Sequence, residues 1–122
     1  MMVQLTGAWP RVADALRPPP QLPLSEWIEQ TIRLPQGLSA EPGPIRLWPW
    51  QKGIPDAIAQ TERVTVCKSA RVGYTSLLDG VTAHFCLNDP TSILILMPTE
   101  SDARDHVVSE QEFISWNRRT LT

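Results

Sequence analysis

The sequence predicts an α/β fold with three layers and parallel strands, and three segments carry this prediction. The run Arg63–Cys67 contains β-branched residues in succession, which is typical of a strand. Ser76–Leu87 follows with an apolar stripe at helical spacing. Ser92–Met97 is a second strand candidate whose apolar residues do not alternate, as expected for a strand buried on both faces. Two strands joined through a helix indicate a right-handed crossover in a parallel sheet.

The half of the chain before these strands is rich in proline. Twelve prolines occur in the 122 residues, and they cluster in the first half. Residues 1–23 therefore predict a proline-rich arm, with a short helix and an extended stretch. Ser25 is a candidate N-cap for a helix that ends at Pro35. Pro49 predicts the start of the next helix, with Pro55 in its first turns.

A last helix is expected after the second strand. It runs from about Asp102 to Val108, with Thr99 or Ser101 as its cap. The acidic residues Asp102 and Asp105 then suit the positive end of the helix dipole. They do not form a metal-binding pair at the end of the strand, because Pro98 and Thr99 intervene before Glu100.

Composition indicates one domain in a reducing compartment. The net charge of −2 excludes a global basic field that would hold DNA by itself. Cys67 and Cys86 are isolated from each other and from His, so a structural zinc site is not expected. No signal peptide is visible, and the longest apolar run, Ile93–Met97, is too short to span a membrane. We therefore expect a soluble cytoplasmic protein.

The segment Lys68–Thr75 lies between the first strand and its helix, where a phosphate-binding loop would lie. Such a loop needs backbone N–H groups, a helix N-terminus and a hydroxyl for magnesium. Gly73 holds the second-glycine position and Thr75 the hydroxyl position, whereas Tyr74 replaces the usual lysine. The spacing alone fits equally well a βα turn that is capped by Thr75 and carries two solvated basic residues.

The letters KSARVGYT resemble the deviant Walker A loop of the large terminase subunits of lambda-type phages, in which the lysine opens the loop. Three further stretches resemble the same family in the same order, so that the resemblance covers roughly residues 24–109: SEWIEQTIRLP, GPIRLWPWQKGIPDAI and LILMPTESDARDHVVS. The resemblance implies an incomplete P-loop NTPase-type three-layer sandwich behind the N-terminal arm.

The resemblance also implies ATP and Mg²⁺ as cofactors and a role for each loop residue. Lys68 would contact the β- and γ-phosphates, Arg71 would add charge, Gly73 would allow close backbone approach, and Thr75 would ligate Mg²⁺. The rest of the nucleotide-binding loop would be Ser69, Ala70, Val72 and Tyr74.

Two residues before the loop would contact adenine. The ring of Trp50 would stack on the base, and Gln51 would read its edge. Core packing is an equally good interpretation for Trp48 and Trp50, and Tyr74 either faces the nucleotide or covers the loop. Neither His84 nor His106 has an obvious acidic or nucleophilic partner, so packing or surface roles are expected.

The resemblance fades after Ser109, and residues 110–122 are expected to form a divergent tail. A frameshift or a truncated prophage gene would explain this ending. No second magnesium carboxylate, water-orienting residue or nuclease domain is recognisable, so we expect ATP binding without hydrolysis.

The family implies the small terminase subunit, the portal and phage DNA as partners, and no membrane. Two alternatives remain. One is a non-enzymatic interaction module that docks through the proline-rich arm and five tryptophans. The other is the remnant of a decayed prophage gene.

Overall fold

A computed structural model describes residues 9–19, 21–37 and 41–121. The described residues combine helices with one small two-stranded sheet, so the chain mixes α and β structure as predicted. The elements follow in the order α1 Trp9–Ala15, α2 Leu24–Thr31, β1 Arg33–Leu34, β2 Gly43–Pro44, α3 Pro49–Gln60, α4 Tyr74–Leu87 and α5 Glu100–Leu121.

The sheet is not the parallel sheet that the sequence predicts. Strands β1 and β2 are antiparallel, with Arg33 opposite Pro44 and Leu34 opposite Gly43. Arg63–Cys67 and Ser92–Met97 are unpaired, because their backbone makes no strand ladder within the described ranges. β-Branched and apolar residues favour a strand only where a partner strand satisfies the backbone, and these segments find none.

The core lies between α2, α3 and α4, with α5 packed on α4. Gly80 of α4 marks the closest approach of α2, since a Cβ there would lie 3.1 Å from a methyl carbon of Ile28. The buried apolar residues come from α2, the segment after β2, α4 and α5: Leu24, Trp27, Ile28, Ile32, Ile45, Leu47, Leu77, Val81, Ala83 and Phe113. Neither unpaired segment contributes to this set.

Helix α2 begins two residues earlier than an N-cap at Ser25 predicts. Pro23 occupies the N-cap position, and Ser25 lies inside the first turn. The backbone N–H and the hydroxyl of Ser25 donate to the carboxylate of Asp56 at 3.0 and 2.8 Å. Ser25 as N-cap was therefore wrong, because its hydroxyl ties α2 to α3 rather than closing its own helix.

Helix α3 confirms the predicted start at Pro49, with Trp48 as its N-cap residue. Pro55, however, lies in the helix interior and is fully buried, rather than in the first turns. A proline here cannot donate to the carbonyl of Gln51, four residues earlier. Burial of the ring against the core accompanies this missing hydrogen bond.

Helix α5 starts at Glu100, and its expected cap is confirmed, because Thr99 Oγ1 accepts from the N–H of Asp102 at 3.2 Å. The helix continues far beyond Val108, through the predicted divergent tail, and buries Phe113 and Asn117.

The predicted N-terminal arm contains helix α1. Helix α1 buries none of its residues. Of the predicted arm 1–23, residues 1–8 and Pro20 lie outside the described part. No helix within the described ranges is both long and apolar enough to cross a bilayer.

Candidate functional site

The loop before α4 ends in a helix N-terminus that no side chain caps. Gly73 is the N-cap residue, with a left-handed φ of 74°, and Arg71 also has a positive φ, of 57°. Because no described side chain caps this N-terminus, the backbone N–H groups of its first turn stay available. Free N–H groups at the positive end of a helix dipole are suited to hold an anion.

Two cations flank this helix end. Lys68 Nζ lies 5.4 Å from the centroid of the Tyr74 ring, which places the ammonium over the ring face. The same atom lies 3.4 Å from the carbonyl oxygen of Ser69. Neither Lys68 nor Arg71 forms an ion pair with a described residue, so both charges can meet a bound anion.

Gln51 fastens the loop to the start of α3. Its buried side chain accepts from the N–H of Trp48 at 2.9 Å and donates to the carbonyl of Val72 at 2.9 Å. A Cβ on Gly73 would lie 3.2 Å from Gln51 Nε2, so both the positive φ and this close approach favour glycine. An amide has two donors and two lone pairs, so one of each is left for a ligand.

The tryptophans before the loop lie at the surface rather than in the core. Trp48 is 69% exposed and Trp50 is 50% exposed. Both border a cavity of about 600 Å³ beside the loop. The two rings are therefore free to contact a bound molecule.

Arg46 lines the same cavity, and the sequence reasoning missed it. The signal in the sequence is the alternation of Arg46 with apolar Ile45 and Leu47, both of which are buried. In a non-helical stretch such alternation turns the residue between two buried neighbours outward. Arg46 adds a third cation to the surroundings of the loop.

An ion pair between Glu29 and Lys52 stabilises the segment that contains Arg46, Trp48 and Trp50. Glu29 of α2 accepts from the N–H of Leu47 at 3.0 Å and from Lys52 Nζ at 2.9 Å. The hydrogen bond from Lys52, opposed by partial burial and aided by the Leu47 N–H, lowers the pKa of Glu29. The carboxylate thus stays charged and ties the start of α3 to α2.

The predicted site residues fall into two groups. Trp50, Gln51, Arg71, Val72 and Gly73 line the one cavity. The others lie outside this lining: Lys68, Ser69, Ala70 and Thr75 are exposed, and Tyr74 is half-buried against the core.

The hydroxyl of Thr75 makes no hydrogen bond to any described residue, which leaves it open to a ligand. It is not a helix cap, because Gly73 holds that position and α4 begins at Tyr74.

The two histidines have different surroundings. His84 packs edge-to-face against Trp27, with ring centroids 4.6 Å apart, which confirms its packing role. The expectation that His106 lacks an acidic partner was wrong, because Glu110 lies one turn later with its carboxylate oxygen 3.6 Å from His106 Nε2. The spacing of four residues on one helix was the signal that could have found this pair.

Comparison with known proteins identifies the family of the chain. Residues 39–114, more than half of the chain, match the family described as phage terminase large subunit gpA, ATPase domain. The chain is 35% identical to the large terminase subunit of Escherichia phage lambda over 98 residues, which is 79% of this chain and 15% of that protein. It is 35% identical to the large terminase subunit of Enterobacteria phage P21 over 96 residues, which is 77% of this chain and 15% of that protein.

The chain thus spans about 15% of the length of these curated relatives. No solved structure matches it significantly. The family match and both relatives point to the same conclusion, and the chain belongs to the family of ATPase domains of the phage terminase large subunit.

Proposed function

We propose that this chain holds ATP through the loop Lys68–Thr75 as part of a DNA-packaging ATPase. The observation that carries the proposal is the uncapped N-terminus of α4, flanked by unpaired Lys68 and Arg71. The triphosphate would accept hydrogen bonds from the free N–H groups, and the two cations would neutralise it.

Each remaining residue has a role in this proposal. Gly73 allows the backbone to approach the phosphates, and Ser69, Ala70, Val72 and Tyr74 complete the loop. The exposed ring of Trp50 stacks on adenine, and Gln51 offers the base its remaining donor and acceptor. The unpartnered hydroxyl of Thr75 fits a Mg²⁺ ligand, and the ion, when bound, offsets phosphate charge.

The same proposal covers the fold. Arg63–Cys67 and Ser92–Met97 would become strands of the parallel sheet of a P-loop sandwich, once further strands of a longer protein satisfy their backbone. Support comes from the exposed apolar side chains of the second segment and from the short share of the relatives that this chain spans.

Hydrolysis would need a second magnesium carboxylate and a residue that orients water. Neither is recognisable in this sequence, so we propose that the chain alone binds ATP without hydrolysing it. Its partners would be the small terminase subunit, the portal and phage DNA, in the host cytoplasm.

Calorimetric titration of the chain with ATP and Mg²⁺ tests the proposal, with Lys68→Ala beside it. The substitution should weaken binding about ten- to hundredfold, the worth of one charge-assisted hydrogen bond. Arg118→Ala is the matched control, because it removes an exposed cation from the end of α5. Thr75→Ala should abolish the benefit of Mg²⁺ and leave Mg²⁺-free binding unchanged.

Absence of binding by a chain with intact helical circular dichroism would contradict the proposal. It would favour the alternative of an interaction module, for which the exposed Trp48 and Trp50 are the supporting observation. Failure of the chain to fold would instead favour a decayed gene product.

A further inference from the structure

Three side chains converge where α4 and α5 pack together. Asp79 comes from α4, and His106 and Glu110 come from successive turns of α5. One potential ligand atom from each lies within 4.8 Å of the other two. None of the three lines the cavity beside the Lys68–Thr75 loop.

The polar atoms of this cluster are not satisfied by the rest of the protein. Asp79 Oδ1 and Glu110 Oε1 are buried and have no hydrogen-bond partner among the described residues. Glu110 is only 8% exposed. Native proteins leave few buried carboxylate oxygens unpaired, and an unseen ion is one of the ordinary explanations.

The electrostatics of the cluster favour a cation. Burial, followed by the charge of Glu110, raises the pKa of Asp79 to about 6, and His106 only partly opposes the rise. Two carboxylates thus face each other with a single imidazole beside them. A bound dication would neutralise both and use both unpaired oxygens.

We propose that Asp79, His106 and Glu110 bind a divalent transition-metal ion of the Zn²⁺ type. The imidazole selects against Mg²⁺ and Ca²⁺, which prefer sets of oxygen ligands. Ligand atoms about 2.0–2.2 Å from a tetrahedral ion lie about 3.3–3.6 Å apart, so side-chain rotations that bring the three groups closer together close the site. Three protein ligands leave a fourth position for water.

Titration of the chelator-stripped chain with ZnCl₂, by calorimetry and by thermal unfolding, tests the site without nucleotide. We expect one ion per chain and a melting temperature that rises with Zn²⁺ concentration. Glu110→Gln and His106→Gln should each weaken binding at least about tenfold. Asp79→Asn relieves repulsion between carboxylates, so it should melt higher without metal and respond less to Zn²⁺.

Three controls test whether Asp105, His84 or Cys67 holds the ion instead. Asp105→Asn changes an exposed neighbour on α5, His84→Phe removes the other histidine, and Cys67→Ser removes an exposed thiol. All three should bind Zn²⁺ as the parent does, and MgCl₂ at equal concentration should not shift the melting temperature.

Two results would overturn the proposal. One is the absence of Zn²⁺ binding by the folded chain, which would mean that the carboxyl groups share a proton instead. The other is binding that survives Asp79→Asn, His106→Gln and Glu110→Gln, or that disappears with Cys67→Ser, which would place the ion elsewhere.

Discussion

His84 is held between two aromatic rings, and its environment disfavours a charge. The centroids of the Trp27 and Phe85 rings lie 4.6 and 5.1 Å from that of His84, both nearly perpendicular to it. Its Nδ1 atom is buried without a hydrogen-bond partner among the described residues. Burial lowers the pKa of His84 below its ordinary value of 6.5, although the charge of Asp89 opposes this shift.

The protonation of His84 should therefore lower the free energy of unfolding as the pH falls. Its folded pKa is depressed, so the unfolded chain takes up the proton first, and stability is lost as pH drops below about 6.5. Urea unfolding at pH 7.5 and 5.0 should show a larger loss for the parent chain than for His84→Phe.

The comparison isolates His84 because Asp79 is present in both proteins. The raised pKa of Asp79, about 6, acts in the opposite direction and adds stability as the pH falls. Equal pH dependence in the two proteins would show that His84 does not titrate differently on folding.

At the scale of elements, α5 is attached to the β1 strand through one side chain. Asn117 is fully buried, and its Oδ1 accepts from the backbone N–H of Arg33 at 2.9 Å. Its Nδ2 donates to the carbonyls of Arg33 and Phe113 at 3.3 and 3.0 Å. The amide thus takes the place of a neighbouring strand along the free side of β1. Asn117 and Arg33 are 84 residues apart in the sequence.

Asn117→Ala should destabilise the chain by about 1–3 kcal/mol, because it leaves buried backbone groups without partners. Asn117→Asp should also destabilise it, since a carboxylate accepts from Arg33 but cannot donate to the two carbonyls. Ser115→Ala, on the exposed side of the same helix, should change the free energy of unfolding by less than about 0.5 kcal/mol. Urea denaturation measures all three, and equal stability of Asn117→Ala and the parent would refute the role of this amide.

For the whole molecule, the main feature is an apolar segment that lies outside the core and exposes one side almost completely. Leu94 and Leu96 are 82% and 83% exposed, and Ile93, Ile95 and Met97 between and beside them are more than a third exposed. The backbone of this segment pairs with no strand in the described part of the chain. An unpaired apolar run of this kind is a template for pairing with another chain.

The chain should accordingly self-associate as its concentration rises. Leu94→Lys with Leu96→Lys should reduce association, since charges on an exposed edge oppose strand pairing. Val107→Lys with Val108→Lys adds the same charge to an exposed part of α5 and serves as the control. Sedimentation velocity measures the distribution of species, and a parent chain that stays monomeric throughout the concentration range would contradict the expectation.

Local sequence specified where α3 and α5 begin and where the loop before α4 ends. Pro49 marks the start of α3, Thr99 caps α5, and the glycine at position 73 separates the loop from α4. These features depend on contacts within a few residues, so the local sequence contains the physical information that specifies them. The nucleotide-binding role of the loop residues stays a prediction. The backbone around them suits an anion.

Which groups meet depends on how the helices pack in three dimensions. Ser25 contacts Asp56, Gln51 contacts Val72, and Asn117 contacts Arg33, each across many residues of chain. Strand pairing is of the same kind, since apolar β-branched runs specify a preference for a sheet but not the partner within it. The pairing of β1 with β2 and the convergence of Asp79 on α5 depend on how the helices pack, which no local pattern contains.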